Sequence, residues 1–585
     1  MMFAPAVPGY QREAGNIQSV RCGYTDCYTG SMRRLIPTLI LALLVTLPAG
    51  ARAGDRLLVG GTVVTPDGER PAQVLIHDDL IAEVRPPTTK QAVPAGTEVT
   101  DLHGAYVLPG LCDAHLHLTG YGTALEQVDL VGAASWSEVI SRARVAAKEL
   151  PPGAWLVGRG WDQNLWKSKR FPDRAALDEA FPNRPVLLRR VDGHAAVANA
   201  QALRLAGIGW NTPDPAGGRI LRRTDGEPNG VLVDTAADLA IDVVPQPTQS
   251  DIERRILRAA RQLLADGFTE IDDPGTKAEE LTVIRRLALQ GRLPIRVYVL
   301  INGDDETLLK SEFRRGPEIG ERRMVRVGGV KLYADGALGS RGALLGSDYS
   351  DDPGNHGLPV TGVERLRSVI QRASRAGFQV AVHAIGDEAV HRVLDLYQEV
   401  GAPVCRRLRH RIEHSQTIRP ADVPRFAALG VIASIQPTHC TSDMPWAPQR
   451  LGPVRISWAY RWKSLLDAGV RLCGGSDAPV EDPDPRRGLF AAVTRQRPDH
   501  TPPGGWNPAE RLTPRQALAL FTSGAAFAAK AETWSGAIRP GFVADLTVVD
   551  RDPLKGGADQ MSRMKVLRTI VAGVDRYVFA GGGAR

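Results

Sequence analysis

Residues 111–118 read Leu-Cys-Asp-Ala-His-Leu-His-Leu, and an apolar run, Ala105–Leu111, enters them from Gly104. Such a run predicts a buried strand. His115 and His117 are two residues apart, and residues i and i+2 of a strand share a face. Two neutral imidazoles projecting together from a strand end can hold one divalent cation at about 2.0–2.1 Å. The pair can equally be two ordinary polar side chains at a strand-to-loop junction. Further ligands at later strand ends would separate these readings.

Outward from this stretch, strand-like runs alternate with amphipathic helical segments such as Ser250–Gly267 and Val363–Gly377. That alternation points to parallel strands in an α/β fold. Candidate strands end at His117, His194, Asp273, Lys331, His383, His414, Pro437 and Asp477, as many as a (β/α)8 barrel needs. A ninth apolar run, Ile295–Ile301, competes for one of those places. The stretch around 120–243 is long for a single β/α unit and is expected to carry an inserted subdomain containing Trp155–Trp166 and the Gly226-Glu227-Pro228 turn.

Both chain ends read differently. Residues 55–101 hold short strands and turns without helical periodicity: Arg56–Val64, the Pro66-Asp67-Gly68 turn, Ala72–Ile76 and Leu80–Val84. Ala544–Val549 and Val566–Val578 are strand-like again, with a turn at Gly573. The expected organisation is a leader over 1–53, a small β-sandwich built from 54–108 and 536–585, and a barrel over 109–535.

The leader has the layout of a secretory signal peptide. Met32-Arg33-Arg34 precedes the apolar run Leu35–Leu47, and Ala51-Arg52-Ala53 supplies a cleavage site. The run is short for a membrane span, so the expectation is a periplasmic or secreted chain with no stable membrane anchor after cleavage. Met32 reads as the natural start; a genuine extension over 1–31 is the alternative. The chain has 585 residues and a net charge of +7, of which +4 remains outside 1–53. A surplus so small and so well mixed gives no footprint for nucleic acid. Only Cys112, Cys405, Cys440 and Cys473 follow the leader, which is no disulfide framework. A homodimer is left open.

The ordered series of strand ends decides the first question. Val330-Lys331 ends one apolar segment, Phe378–Val382 runs into His383, Arg411-Ile412-Glu413 into His414, and Val470–Cys473 into Gly474-Gly475-Ser476-Asp477. Imidazole and carboxylate together suit a borderline cation such as zinc. A lone histidine at a strand end is an unremarked core residue; a series of them at successive strand ends is not.

These motifs resemble the amidohydrolase superfamily, and in particular its amidohydrolase family 3 branch, which includes N-substituted formamide deformylases. The matching segments are Val107–His117, Asp192-Gly193-His194 with Asn199, Lys331–Arg341, His383–Asp387, Arg411–His414, Gln436–His439 with Asp443, and Gly475–Val480. The resemblance spans roughly 55–578 and departs at Leu111-Cys112, where many relatives have Gly and an aliphatic residue. It implies a metal-bearing (β/α)8 barrel with a sandwich made from both chain ends. By position, His115, His117 and Asp477 would hold a first metal, and His383 and His414 a second. Lys331 would bridge the two as a carboxylated lysine, which requires a neutral amine against a reference pKa of about 10.4. A structural or substrate-binding Lys331 is the alternative.

The chemistry so implied is metal-assisted hydrolysis of an amide or formamide bond on a small molecule, with a metal-activated hydroxide and Asp477 as general base. His194, His439, Asp335 and Trp161 are the candidate substrate contacts. His194 and His439 can equally be core residues, Asp335 can simply shape its loop, and Trp161 can simply pack its own. Hydrolysis of a lactone, carbamate or phosphoester on the same metals is a second reading, and an exported binding protein without turnover is a third.

Overall fold

The structure, a computed structural model, describes residues 54–65, 68–89, 93–190, 195–215 and 218–579. The leader and His194 lie outside the described residues. Among the described residues no helix is long and apolar enough to cross a membrane.

The first strands are β1 (Arg56–Thr65), β2 (Gly68–His77) and β3 (Leu80–Arg85), paired antiparallel in that order. β4 (Glu98–Asp101) and β5 (Tyr106–Pro109) each run parallel to β1. Gly110 separates β5 from β6 (Leu111–Asp113), the first barrel strand.

The helix Leu118–Glu126 follows, and then the inserted subdomain opens. Its six strands are β7 (Val128–Asp129), β8 (Leu156–Trp161), β9 (Val186–Arg190), β10 (Ala195–Ala198), β11 (Gly218–Arg222) and β12 (Pro228–Asp234). They form one sheet in the order β11-β12-β10-β9-β8-β7. Strand alternation gives this sheet two apolar faces. Leu188, Ala195 and Val197 pack with Trp161 and Val139, whereas Leu187, Ala196 and Ala198 pack with Leu203 and Ala237.

The barrel resumes with β13 (Phe268–Thr276) and β14 (Arg296–Asn302), then a short β15 (Glu318–Ile319) lying antiparallel to β16 (Val325–Tyr333). β17 (Gln379–Ala384), β18 (Arg411–His414), β19 (Ile432–Ile435) and β20 (Leu472–Gly474) complete it. Neighbours in the path β20-β19-β18-β17-β16-β14-β13-β6 are parallel. The ends of β6 and β20 meet where Ala114 N–H donates to Gly474 O at 3.0 Å, closing the ring.

One expectation is corrected here. The run Ile295–Ile301 supplies β14, between β13 and β16, while the segment before His194 is β9 of the inserted sheet. Helices Ala278–Leu289 and Glu306–Arg315 flank β14, giving it the crossover connections that parallel neighbours require. β9 instead turns directly into β10 and pairs with it antiparallel.

The last strands are β21 (Leu546–Val549), β22 (Val566–Val571) and β23 (Val574–Val578). β21 pairs antiparallel with β5, so both ends of the chain join in one eight-stranded sheet, β23-β22-β21-β5-β1-β2-β3 with β4 beside β1. Its apolar side buries Leu58, Val74, Ile76, Val107, Leu546 and Ile570 together. A buried ion pair fastens it to the barrel: Arg296, at the start of β14, donates to both oxygens of Asp545 at 2.5 and 3.0 Å.

Candidate metal centre

Polar groups gather where the parallel barrel strands end, as this architecture dictates. His115 and His117 follow β6, Lys331 and His383 stand near the ends of β16 and β17, His414 closes β18, and Asp477 lies just past β20. The Asp477 loop is locked against the His115 loop. Asp477 N–H donates to His115 O at 2.7 Å, and His117 N–H donates to Ala478 O at 3.0 Å. Asp113, which sequence reasoning passed over, clamps both: its carboxylate accepts the N–H of His115 and that of Ser476, each at 3.1 Å. Gly475 makes this approach feasible, since a Cβ there would stand 2.6 Å from Asp113 Oδ1 and from His115 N. His414 (φ 71°) and Asp477 (φ 60°) sit in the left-handed region, a strain that non-glycine residues carry mainly at functional sites.

The side chains converge. Asp477 Oδ1 is 3.4 Å from His115 Nε2 and 3.2 Å from His117 Nε2, and His439 Nε2 is 3.8 Å from Asp477 Oδ2. The ring of His414 is 5.0 Å from that of His115 and 4.4 Å from that of His383. Lys331 Nζ is 3.4 Å from His115 Nε2. All are buried except His117, whose side chain is 33% exposed.

Burial sets the protonation states. It lowers His115 to about 4 and His383 to about 3, in both cases helped by the Lys331 charge. It drives His414 well below its ordinary value, with His383 adding to the effect. Burial also lowers Lys331 to about 8, although Glu413 and Asp477 oppose it. Burial alone would protonate Asp477, but the imidazoles around it, His115 foremost and His117 through a hydrogen bond, hold it well below the usual carboxylate range. The centre is therefore a carboxylate ringed by neutral imidazoles, with an amine that loses its proton easily.

That donor set fits a divalent cation. Two ligand atoms each about 2.0–2.2 Å from one ion lie no more than about 4.4 Å apart, and the His115–Asp477 and His117–Asp477 separations meet that limit. The donor atoms of His115, His117 and Asp477 lie within 4.8 Å of one another, as do those of His414, His439 and Asp477. His439 Nε2 is buried and has no hydrogen-bond partner, as expected of an atom placed for a ligand. His439, expected as a substrate contact, thus stands among the candidate ligands. His383 packs its ring on His414, but its Nε2 lies 3.4 Å from Gly336 O and 3.6 Å from Asp335 Oδ1. A third donor group, Cys112, Glu270 and Asp272, is already taken, because Arg326 pairs with Glu270 and Arg411 with Asp272.

Two further expectations are placed elsewhere by the structure. Asp335 accepts the N–H groups of Leu344, Ile385 and Gly386 at 2.8–3.0 Å, so its carboxylate shapes the loops after β16 and β17. Trp161 is fully buried in the inserted subdomain, where its indole N–H donates to Leu188 O at 2.8 Å; its ring is core and presents nothing to a substrate. The residues that orient the ligands were also missed. Glu413 bonds His115 Nδ1, and Gln436 Oε1 stands 2.8 Å from His414 Nδ1. The only sequence trace of Glu413 was a charge two residues after Arg411 in an otherwise buried strand.

Comparison with known proteins places this geometry in a family. The amidohydrolase family model matches residues 98–577. YtcJ of Bacillus subtilis (strain 168) is 34% identical over 525 residues, covering 88% of this chain and 98% of YtcJ. The N-substituted formamide deformylase of Arthrobacter pascens is 29% identical over 550 residues, covering 90% and 99%. The crystal structure of an uncharacterized metal-dependent hydrolase from Pyrococcus furiosus matches with a TM-score of 0.73 and 31% identity, over 86% of this chain and 100% of that one. With its ligand-bearing strand ends and parallel barrel, the chain belongs to the amidohydrolase family and is a metal-dependent hydrolase acting on carbon–nitrogen bonds.

Proposed function

We propose that this protein is an exported hydrolase that cleaves an amide or formamide-type bond of a small molecule, using two zinc ions bridged by carboxylated Lys331. The observation that carries the reading is Asp477: an ionised, buried carboxylate touching the Nε2 atoms of both His115 and His117. His115, His117 and Asp477 would hold one ion. His414 and Lys331 would hold the other, with His383 and His439 both near enough to contribute. When bound, such ions lower the pKa of a water toward about 7 and polarise a carbonyl.

The chain's own residues handle the proton. Asp477 accepts a proton from the attacking water and returns it to the leaving nitrogen. The C–N bond then breaks to an amine and a carboxylate, which is formate in the case of a formamide. Lys331, with its lowered proton affinity, supplies the neutral amine that carbon dioxide needs to form a carbamate. The likeness to the Arthrobacter pascens deformylase supports N-substituted formamides as the first substrates to try.

The test is zinc content of the chain purified from Gly54 without chelator, mass spectrometry of the Lys331 peptide under mild conditions, and turnover of a panel of N-substituted formamides, amides and lactones. Two ions, a carbamate and amine release from formamides are the expected results. One ion removes the bridge. Turnover confined to lactones transfers the reaction to carbon–oxygen bonds. A metal-free chain that takes up no zinc and turns over nothing overturns the reading.

A further inference from the structure

Beneath the imidazoles runs a line of buried charges that the hydrolysis itself does not use. His115 Nδ1 bonds Glu413 Oε2. Arg411 Nε donates to Glu413 Oε1 at 2.7 Å, its Nη1 to Asp272 Oδ2 at 2.6 Å and its Nη2 to Ala114 O at 3.0 Å. β18 and β13 are four places apart in the eight-strand ring, so the Arg411 guanidinium crosses the barrel interior from one wall to the facing one. His115, Glu413, Arg411 and Asp272 are all fully buried.

The chemistry of these groups leaves one arrangement. A guanidinium only donates and an ionised carboxylate only accepts. Glu413 therefore takes the Nδ1 hydrogen of His115, and the Nε2 lone pair must face Asp477 and Lys331, each 3.4 Å away. The imidazole cannot turn over without leaving Glu413 unpaired in the barrel core. Arg411 in turn fixes Glu413, and its bond to Ala114 O ties the same guanidinium to the backbone next to His115. A lighter version serves His414, whose Nδ1 meets the neutral amide oxygen of Gln436. A carboxylate partner also makes its imidazole the stronger electron donor.

We propose that Glu413 is a positioning residue for metal binding: it locks His115 as an Nε2 ligand, and the Arg411–Asp272 strut across the barrel holds Glu413 in that role. The proposal rests on His115 being a ligand, as read above. A purely structural ion network would affect folding stability and leave metal affinity untouched.

Zinc affinity, measured by competition with a chromophoric chelator on the metal-free full chain, tests this with wild type, His115→Asn, Glu413→Gln and the double variant. Glu413→Gln is expected to weaken zinc binding by about 10–100-fold. In the His115→Asn background the same change is expected to cost nothing further, since it acts through that ring. Wild-type affinity in Glu413→Gln, or an equal loss in both backgrounds, overturns the proposal. Wild-type affinity in His115→Asn instead overturns the metal reading on which it rests. Should Glu413→Gln fail to fold, the metal-free wild type labelled with 15N-histidine decides. A slowly exchanging, far-downfield imidazole N–H that vanishes in His115→Asn supports the proposal, and its absence from wild type overturns it.

Discussion

Asp477 combines two demands at one residue, since it is placed to hold a cation and to move a proton. Asp477→Asn keeps the size and hydrogen-bonding reach of the side chain but removes the charge. We expect turnover to fall by about 10²–10⁴-fold, read as kcat on a hydrolysed formamide, with the far-ultraviolet circular dichroism unchanged. A variant with wild-type turnover would assign the proton to another group. A second residue predicts a pH effect away from the centre. His410 is fully buried, accepts Val380 N–H on Nδ1 at 3.0 Å and meets Ser374 Oγ through Nε2 at 2.9 Å. Burial, with Lys530 and Arg407 assisting, lowers it to about 3. The unfolded chain takes up this proton below pH about 6.5 and the folded chain does not until about 3, so the stability that His410 confers is present above 6.5 and lost as pH falls. The stability advantage of wild type over His410→Gln should shrink from pH 6.5 to 4, by up to about 1.4 kcal/mol per unit, in denaturant titrations of the metal-free chain. The His-x-His pair, Lys331 and Asp477 were legible because their neighbours in sequence are their neighbours in the strand. Asp113, Glu413 and Gln436 were not, because their partners stand across the barrel or on another strand end.

At the scale of elements, the helix that follows His117 sits unusually close to the helix Gln249–Ala265. A Cβ at Gly122 would lie 2.2 Å from the carbonyl oxygen of Arg255, so only glycine permits this distance. His117 is the residue at which the first helix begins, and pushing that helix outward moves the ligand. Gly122→Ala should cost about 1–3 kcal/mol of stability by overpacking and weaken zinc binding as well. Thermal melting and a zinc titration of the same sample check both, and a variant that melts higher with unchanged affinity would refute the coupling. Helix-and-strand alternation was readable from periodicity, and so was the existence of an insertion. Membership of the barrel was not, because an apolar run does not announce its partners. Ile295–Ile301 and Val186–Arg190 look alike as runs, and only their flanks, helices for one and strands for the other, separate them.

Across the whole molecule, one ion pair carries the junction of terminal sheet and barrel. Asp545 accepts from Arg296 and also from Ala572 N–H at 2.8 Å. Asp545→Ala leaves the Arg296 charge buried without its partner, and should cost about 3–5 kcal/mol in equilibrium unfolding; a loss below about 1 kcal/mol would show that the guanidinium finds another acceptor. That both chain ends build one β unit was visible in the matching short strands. Their fusion into a single sheet was not, because the β5–β21 register exists only once the barrel has brought them together. This pairing also sets a timetable for synthesis. β5 is made about 440 residues before the strand it must pair with. At about 5–20 residues per second, its edge waits roughly 20–90 s on the ribosome without a partner. The first strands to emerge are thus among the last to be secured, and the chain depends on whatever shields that edge until its final residues arrive.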